Sequence, residues 1–182
     1  MIQTLKMTNK IFTAICIPEE TNKGLLDLRP LKHKNIYFTR KDKLHLTLNF
    51  IGDTDIDLVT SAIKGIGFNP FELSIDHIGR FSTRNGGSIF WAGIKKCTEL
   101  EILQKEISSS LSNNGISSDS RRYIPHITLA RSRYSVPKSI LDNFHQQPIS
   151  GEKISFKVDQ FQLINSIDGK YVTKATICCS SN

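Results

Sequence analysis

Two short stretches of the chain carry a histidine and a threonine at alternate positions, His45-Leu46-Thr47-Leu48 and His126-Ile127-Thr128-Leu129. In a β-strand, residues i and i+2 share a face and lie about 6.6–7 Å apart. Each stretch therefore aims an imidazole and a hydroxyl one way while its aliphatic residues enter a core. Two such pairs facing each other suit in-line displacement at phosphorus. One imidazole takes a proton from the attacking oxygen, and the other gives a proton to the departing oxygen. Histidine titrates near neutrality, so a neutral and a protonated copy can coexist in one site. Threonine hydroxyls can donate to the phosphate oxygens as charge builds there, and a guanidinium would hold those oxygens bidentately.

The other histidines serve as controls. His77 shares an apolar face with Phe71, Leu73 and Ile75 in "FELSIDHIG" and reads as a core histidine. His33 and His145 lie in polar surroundings and need no function. Neither histidine motif has acidic or thiolate companions, so no metal and no cofactor is expected. A G-x-S-x-G nucleophile elbow is also missing from the sequence. Cys16, Cys97, Cys178 and Cys179 show no C-x-x-C pairing and read as reduced thiols, three in strands and Cys97 near a helix start.

The elements that must position the motifs fall into two parallel series. "KIFTAICIP" reads as a strand and "EETNKGLLDL" as a helix opening after Pro18. The His45 strand follows, then a helix in "DIDLVTSAIKGI" with Ile56, Val59 and Ile63 at helical spacing behind Asp55, then the strand "FELSIDHIG". In the second series "SIFWAGI" is a strand and "TELEILQKEISSSLS" a helix with a Leu100, Leu103, Ile107, Leu111 stripe. Its Thr98 and Glu101 form a capping box. The His126 strand comes next, then a short helix near "VPKSILDNF", then "ISFKVDQFQLI" as the closing strand. Ile11 precedes His45 by 34 positions and Ile89 precedes His126 by 37, which points to internal duplication. "STRNGGS" carries a hairpin signal, and "KYVTKATICC" completes one of the sheets.

The 182 residues suffice for a full hydrophobic core, and one bilobal domain over 1–182 is expected. No stretch approaches the roughly 18–20 apolar residues of a membrane span. The amino terminus lacks the apolar h-region of a secretory signal, so a cytoplasmic protein is expected. A net charge of +7 favours a polyanionic partner, and Arg121, Arg122, Arg131 and Arg133 bracket the second motif.

"HLTLNFIG" and "PHITLAR" closely resemble the paired motifs of the two-histidine phosphoesterase superfamily. Within it they are most similar to the RNA 2′,3′-cyclic phosphodiesterases, also called 2′-5′ RNA ligases. The likeness runs from "IFTAICIPEE" through "FELSIDHIGRFSTRNGGSIFWAGI" to "FKVDQFQLINS", leaving the six residues before Met7 unmatched and expected to be disordered. The resemblance implies an α+β, bilobal, duplicated fold with pseudo-twofold symmetry, antiparallel sheets lining a central cleft and helices outside. It implies His45 and His126 as the acid–base pair, His45 toward the 3′-oxygen and His126 on water, with Thr47, Thr128 and Arg131 on the phosphate. Phe50 matches an aromatic suited to stacking a terminal base, and Phe81, Arg122 and Tyr123 are candidate rim residues. Strict alternation turns Phe50 and Arg131 away from the histidine face, so both roles require a bend near the end of their strands. The expected activity is hydrolysis of an RNA terminal 2′,3′-cyclic phosphate to a 2′-phosphomonoester, with reverse 2′-5′ ligation. The expected partner is RNA with such an end, tRNA fragments among them, met by a monomer. Other 2′-linked substrates stay open, namely 2′-5′ oligonucleotides and small cyclic nucleotides, as does a non-catalytic RNA-binding module.

Overall fold

The computed structural model describes residues 9–149 and 154–180, so the extension before Met7 lies outside the described residues. The elements are β1 (Asn9–Cys16), α1 (Glu19–Asp27), β2 (Ile36–Phe38), β3 (His45–Gly52), α2 (Ile56–Ile63), β4 (Phe71–Ser82) and β5 (Ser88–Ile94). They continue as α3 (Thr98–Asn113), β6 (His126–Ser132), α4 (Lys138–Gln146), β7 (Ser155–Val158), β8 (Gln160–Ile167) and β9 (Lys170–Cys178).

The strands form one antiparallel sheet in the order β7-β4-β5-β6-β3-β1-β8-β9, with β2 beside β6. At its centre β3 meets β6 through a single registered pair, Leu46 opposite Ile127. The ladders repeat on either side of that point: β3 pairs β1 and β1 pairs β8, as β6 pairs β5 and β5 pairs β4. This is the pseudo-twofold arrangement expected from the duplicated series, with one exchange. β4 follows the first histidine strand in sequence but pairs with β5 of the other lobe, while β8 closes the first lobe beside β1. Short connections explain the first half of the exchange. Thr83 and Gly87 close the β4–β5 hairpin, and Gly86 sits at φ 75°, where a side chain would be strained.

"ISFKVDQFQLI" is accordingly not one strand. Asp159 divides it, and β7 pairs with β4 at one margin while β8 pairs with β1 across the molecule. Cys179 falls just beyond β9 rather than in a strand, and all four cysteines are free.

Helix boundaries follow local chemistry. Asp55 caps α2 by accepting from the Asp57 and Leu58 backbone amides, a contact typically contributing ~1 kcal/mol. The α3 stripe of Leu100, Leu103, Ile107 and Leu111 is buried as its spacing predicts. The expected capping box does not form. Cys97, extended at φ −137°, is the cap, and Thr98 is already the first helical residue, so its hydroxyl cannot reach the amides it would cap. Most buried apolar residues of both lobes form one continuous cluster, to which Phe144 of α4 adds an edge-on contact with Phe90 at 5.0 Å, while Phe12, Ala14 and Ile164 pack as a separate small cluster. Among the described residues no helix is long and apolar enough to cross a membrane.

Candidate active site

Leu46 and Ile127 are fully buried beneath the junction of the two lobes. Burying each contributes roughly 1.5–3 kcal/mol, which holds β3 and β6 in this register. Antiparallel register about this single pair puts His45 on the side of Thr128 and Thr47 on the side of His126, all four turned to the opposite face. The two histidines then occupy one diagonal and the two threonines the other. Ordinary sheet geometry separates diagonal neighbours by about 7–8 Å, enough for a tetrahedral group between them.

Both imidazoles are held alike. His45 Nδ1 lies 2.8 Å from the Lys43 carbonyl and His126 Nδ1 lies 2.7 Å from the Ile124 carbonyl. A carbonyl can only accept, so each Nδ1 carries hydrogen and each Nε2 is left for proton transfer. Burial lowers the pKa of both rings below the ordinary 6.5, opposed by these carbonyl bonds and reinforced by the charge of Arg131. His45 also feels the charge of His126. The paired motifs therefore lie within one electrostatic neighbourhood.

Beyond the threonines each strand bulges at the same place. Thr13 pairs with Asn49 but Ala14 with Thr47, leaving Leu48 as the extra residue. Phe90 pairs with Ala130 but Trp91 with Thr128, leaving Leu129 extra. A bulge advances the period-two alternation by one residue. Phe50 and Arg131, both five positions past a histidine, are thereby turned back onto the histidine face, and the two strands share one burial pattern. This supplies the bend that the roles expected of them require. Phe50 is 43 % exposed.

Past the Leu46–Ile127 pair the strands diverge, and other groups take up their free edges. The Tyr123 hydroxyl donates to the Thr47 carbonyl at 3.3 Å, and the Asp119 amide donates to the Phe50 carbonyl at 2.9 Å. On the other lobe β2 pairs with β6, and the Thr39 amide donates to the Leu129 carbonyl at 2.9 Å. Tyr123 thus braces the Thr47 strand from a partly buried position, and burial raises its pKa. Arg122 is exposed in the adjoining loop, next to Arg121, which pairs with Asp119.

Each histidine also leans on aromatic rings. His126 meets Phe81 edge-on at 5.1 Å and Trp91 at 5.9 Å, with Phe81 and Trp91 themselves 5.0 Å apart. His45 meets Phe12 at 5.1 Å and Tyr171 at 5.5 Å, and Lys43 Nζ stands 5.3 Å over the Tyr171 ring. Phe81 is a wall of the His126 site. Phe12, Trp91, Lys43 and Tyr171 were not marked by sequence. Phe12 and Trp91 reach the histidine face through their register opposite Phe50 and Thr128, which pairing between strands decides, and nothing local ties Tyr171 to His45.

His77 does not join the core. A further bulge in β4 pairs Ile75 with Ile94 but His77 with Gly93, turning the imidazole out onto the histidine face. There it bonds to Asp76 and meets Trp91 edge-on at 5.4 Å. It lies over Gly93, where a Cβ would come within 2.2 Å of the ring. Among the described residues no group of three or more His, Cys, Asp or Glu side chains is disposed to hold a metal ion.

Comparison with known proteins shows the family and the fold. A family model described as the 2′-5′ RNA ligase superfamily matches residues 18–170. An RNA 2′,3′-cyclic phosphodiesterase of Methanocaldococcus jannaschii is 30% identical over 69% of this chain and 72% of its own. Another of that name from Thermotoga maritima is 25% identical over 86% of each chain. The fold is also similar to that of E. coli LigT solved with 3′-AMP, with a TM-score of 0.78 at 21% identity over 97% of this chain and 100% of that one.

Proposed function

The chain belongs to the 2′-5′ RNA ligase superfamily, and from that premise we propose that it opens a terminal 2′,3′-cyclic phosphate on RNA. The observation that carries this reading is the antiparallel Leu46–Ile127 register, which sets two His–Thr pairs on one face with both Nε2 atoms available. A module that only bound RNA would need no matched acid and base.

In the proposed reaction the cyclic phosphate lies between the imidazoles. Neutral His126 takes a proton from water as the water oxygen bonds to phosphorus. The bond from phosphorus to the 3′-oxygen breaks on the far side, and protonated His45 gives that oxygen its proton. The product is a 2′-phosphomonoester with a free 3′-hydroxyl. Thr47 and Thr128 donate to the non-bridging oxygens, and Arg131 offsets their growing charge. With a 5′-hydroxyl in place of water, the same transfers make a 2′-5′ linkage. The assignment of roles comes from the resemblance, because burial and Arg131 shift both imidazoles in the same direction. The terminal base stacks on Phe50. The two lobes act together as one catalytic domain of a monomeric cytoplasmic enzyme that uses no metal.

Incubation with a short oligoribonucleotide ending in 2′,3′-cyclic phosphate tests the reading, with phosphorus NMR of the product. A 2′-phosphate is expected. A 3′-phosphate would reverse the orientation but keep the two-histidine chemistry, and no turnover would remove the function.

A further inference from the structure

The histidine face continues past Arg131 on one lobe into surface that the proton transfers do not use. Cross-strand register lines up Phe81 of β4, Ile89 of β5, Arg131 of β6 and Tyr37 of β2. The row starts at His126, which Phe81 touches, and it ends at an exposed tyrosine. Beyond it opens a groove of about 580 Å³, reached through Ile89 and Arg131 and bordered by Tyr37, Tyr134, Arg133 and Asn85. Tyr37 and Tyr134, at 60 % and 65 % exposure, are the most exposed large apolar side chains among the described residues. No described residue lining the groove is acidic.

Exposed aromatic faces beside guanidinium groups are what a single-stranded nucleic acid requires, since rings stack bases and cations follow the phosphates. Arg131 belongs to both the cleft and the groove, so the two are continuous. A strand leaving the cyclic end would pass directly from one to the other. The first lobe differs, and the described residues lining its own cavity of about 570 Å³ beside the β3 edge include Asp119 and several serines rather than paired exposed aromatics. There Phe12 stands where the second lobe has Ile89, and Asp119 closes on the Phe50 carbonyl where the second lobe has β2.

Resting on the function proposed above, we infer that this groove binds the nucleotides immediately 5′ of the cyclic end. The preferred substrate is therefore an oligoribonucleotide rather than a cyclic mononucleotide. Tyr37 and Tyr134 stack bases there, and Arg133 contacts a backbone phosphate.

The test compares kcat/KM for a 2′,3′-cyclic mononucleotide and for a tetraribonucleotide ending in the same cyclic nucleotide. Wild type should prefer the tetranucleotide. Tyr37→Ala and Tyr134→Ala should each narrow that preference by roughly 5- to 100-fold, the range of a lost stacking contact. Tyr134→Phe should preserve it, because the ring face remains. Tyr134 lies outside the strands, so its variants probe the groove without touching the sheet. Arg133→Gln should lower the salt slope of the tetranucleotide reaction by about 0.7, the value for one phosphate contact on a single strand. Thermal melting checks that each variant is folded. Folded variants that keep the wild-type preference, or lose equally on both substrates, overturn the groove while the phosphodiesterase reading stands. A wild-type chain that turns over neither substrate overturns that reading itself, and the inference with it.

Discussion

Strands β3 and β6 are near copies in geometry and differ at the residue five positions past each histidine. Both carry a histidine whose Nδ1 bonds the carbonyl two residues back, a threonine beside it, and a bulge at the next position but one after the buried aliphatic. The bulge then presents Phe50 on one strand and Arg131 on the other. On the proposed function, this symmetry would supply what the two ends of an in-line displacement have in common, a proton acceptor and a proton donor. The asymmetry would match, on the same proposed function, what a nucleotide makes unequal, a flat base at Phe50 and a charged phosphate at Arg131.

Breaking the symmetric part should have the largest effect. His45→Ala and His126→Ala should each lower turnover by on the order of 10²–10⁴ in a folded protein. The double variant should lose little more, because the pair acts as a unit. A single variant with near-wild-type kcat would end the comparison.

Next comes the arginine. Arg131→Gln should lower kcat/KM by roughly 10- to 100-fold, the scale of a lost charge-assisted hydrogen bond. It should also move the pH profile. In the free enzyme both histidine pKa values lie below 6.5, so a reaction needing one neutral and one protonated imidazole should peak on the acid side of that value. Arg131 lowers both, so its neutral replacement should raise both limbs and carry the optimum to higher pH. A rate loss with an unmoved profile would mean that Arg131 sits too far from the imidazoles to share their site.

Phe50→Ala probes the other side of the comparison and should act through KM. A weakening of about 5- to 100-fold is expected on a cyclic nucleotide, from the loss of base stacking, with the pH optimum unmoved. If Phe50→Ala moved the optimum as Arg131→Gln does, the two positions would not be functionally distinct.

The smallest effect is expected at the brace between the lobes. Tyr123→Phe removes the hydroxyl bonded to the Thr47 carbonyl and should cost about 0.5–1.5 kcal/mol in stability, read from chemical denaturation. Turnover should fall only slightly, since Leu46 and Ile127 still hold the register. A fall as large as that of a histidine variant would mean that the hydroxyl, rather than the buried pair, positions Thr47.

By itself the sequence determined most of the elements, the order of the two series and the four candidate residues at their centre, though not β2 or the division of β7 from β8. Leu46 and Ile127 enter the core while His45, Thr47, His126 and Thr128 turn to the other face, because alternation along a strand is a property of the chain alone. Helical stripes such as Leu100, Leu103, Ile107 and Leu111 are local in the same sense. Pairing between strands is not local, and it decided the rest. Leu48, Leu129 and Asp76 are bulges only by reference to the residues opposite them, and these bulges bring Phe50 and Arg131 to the site and take His77 out of the core. The exchange of β4 and β8 between lobes depends on which edges remain open once the hairpin has closed. Tyr171 reaches His45 only because β9 lies beside β8 and the lobe folds over, a contact spanning most of the chain that no local periodicity encodes.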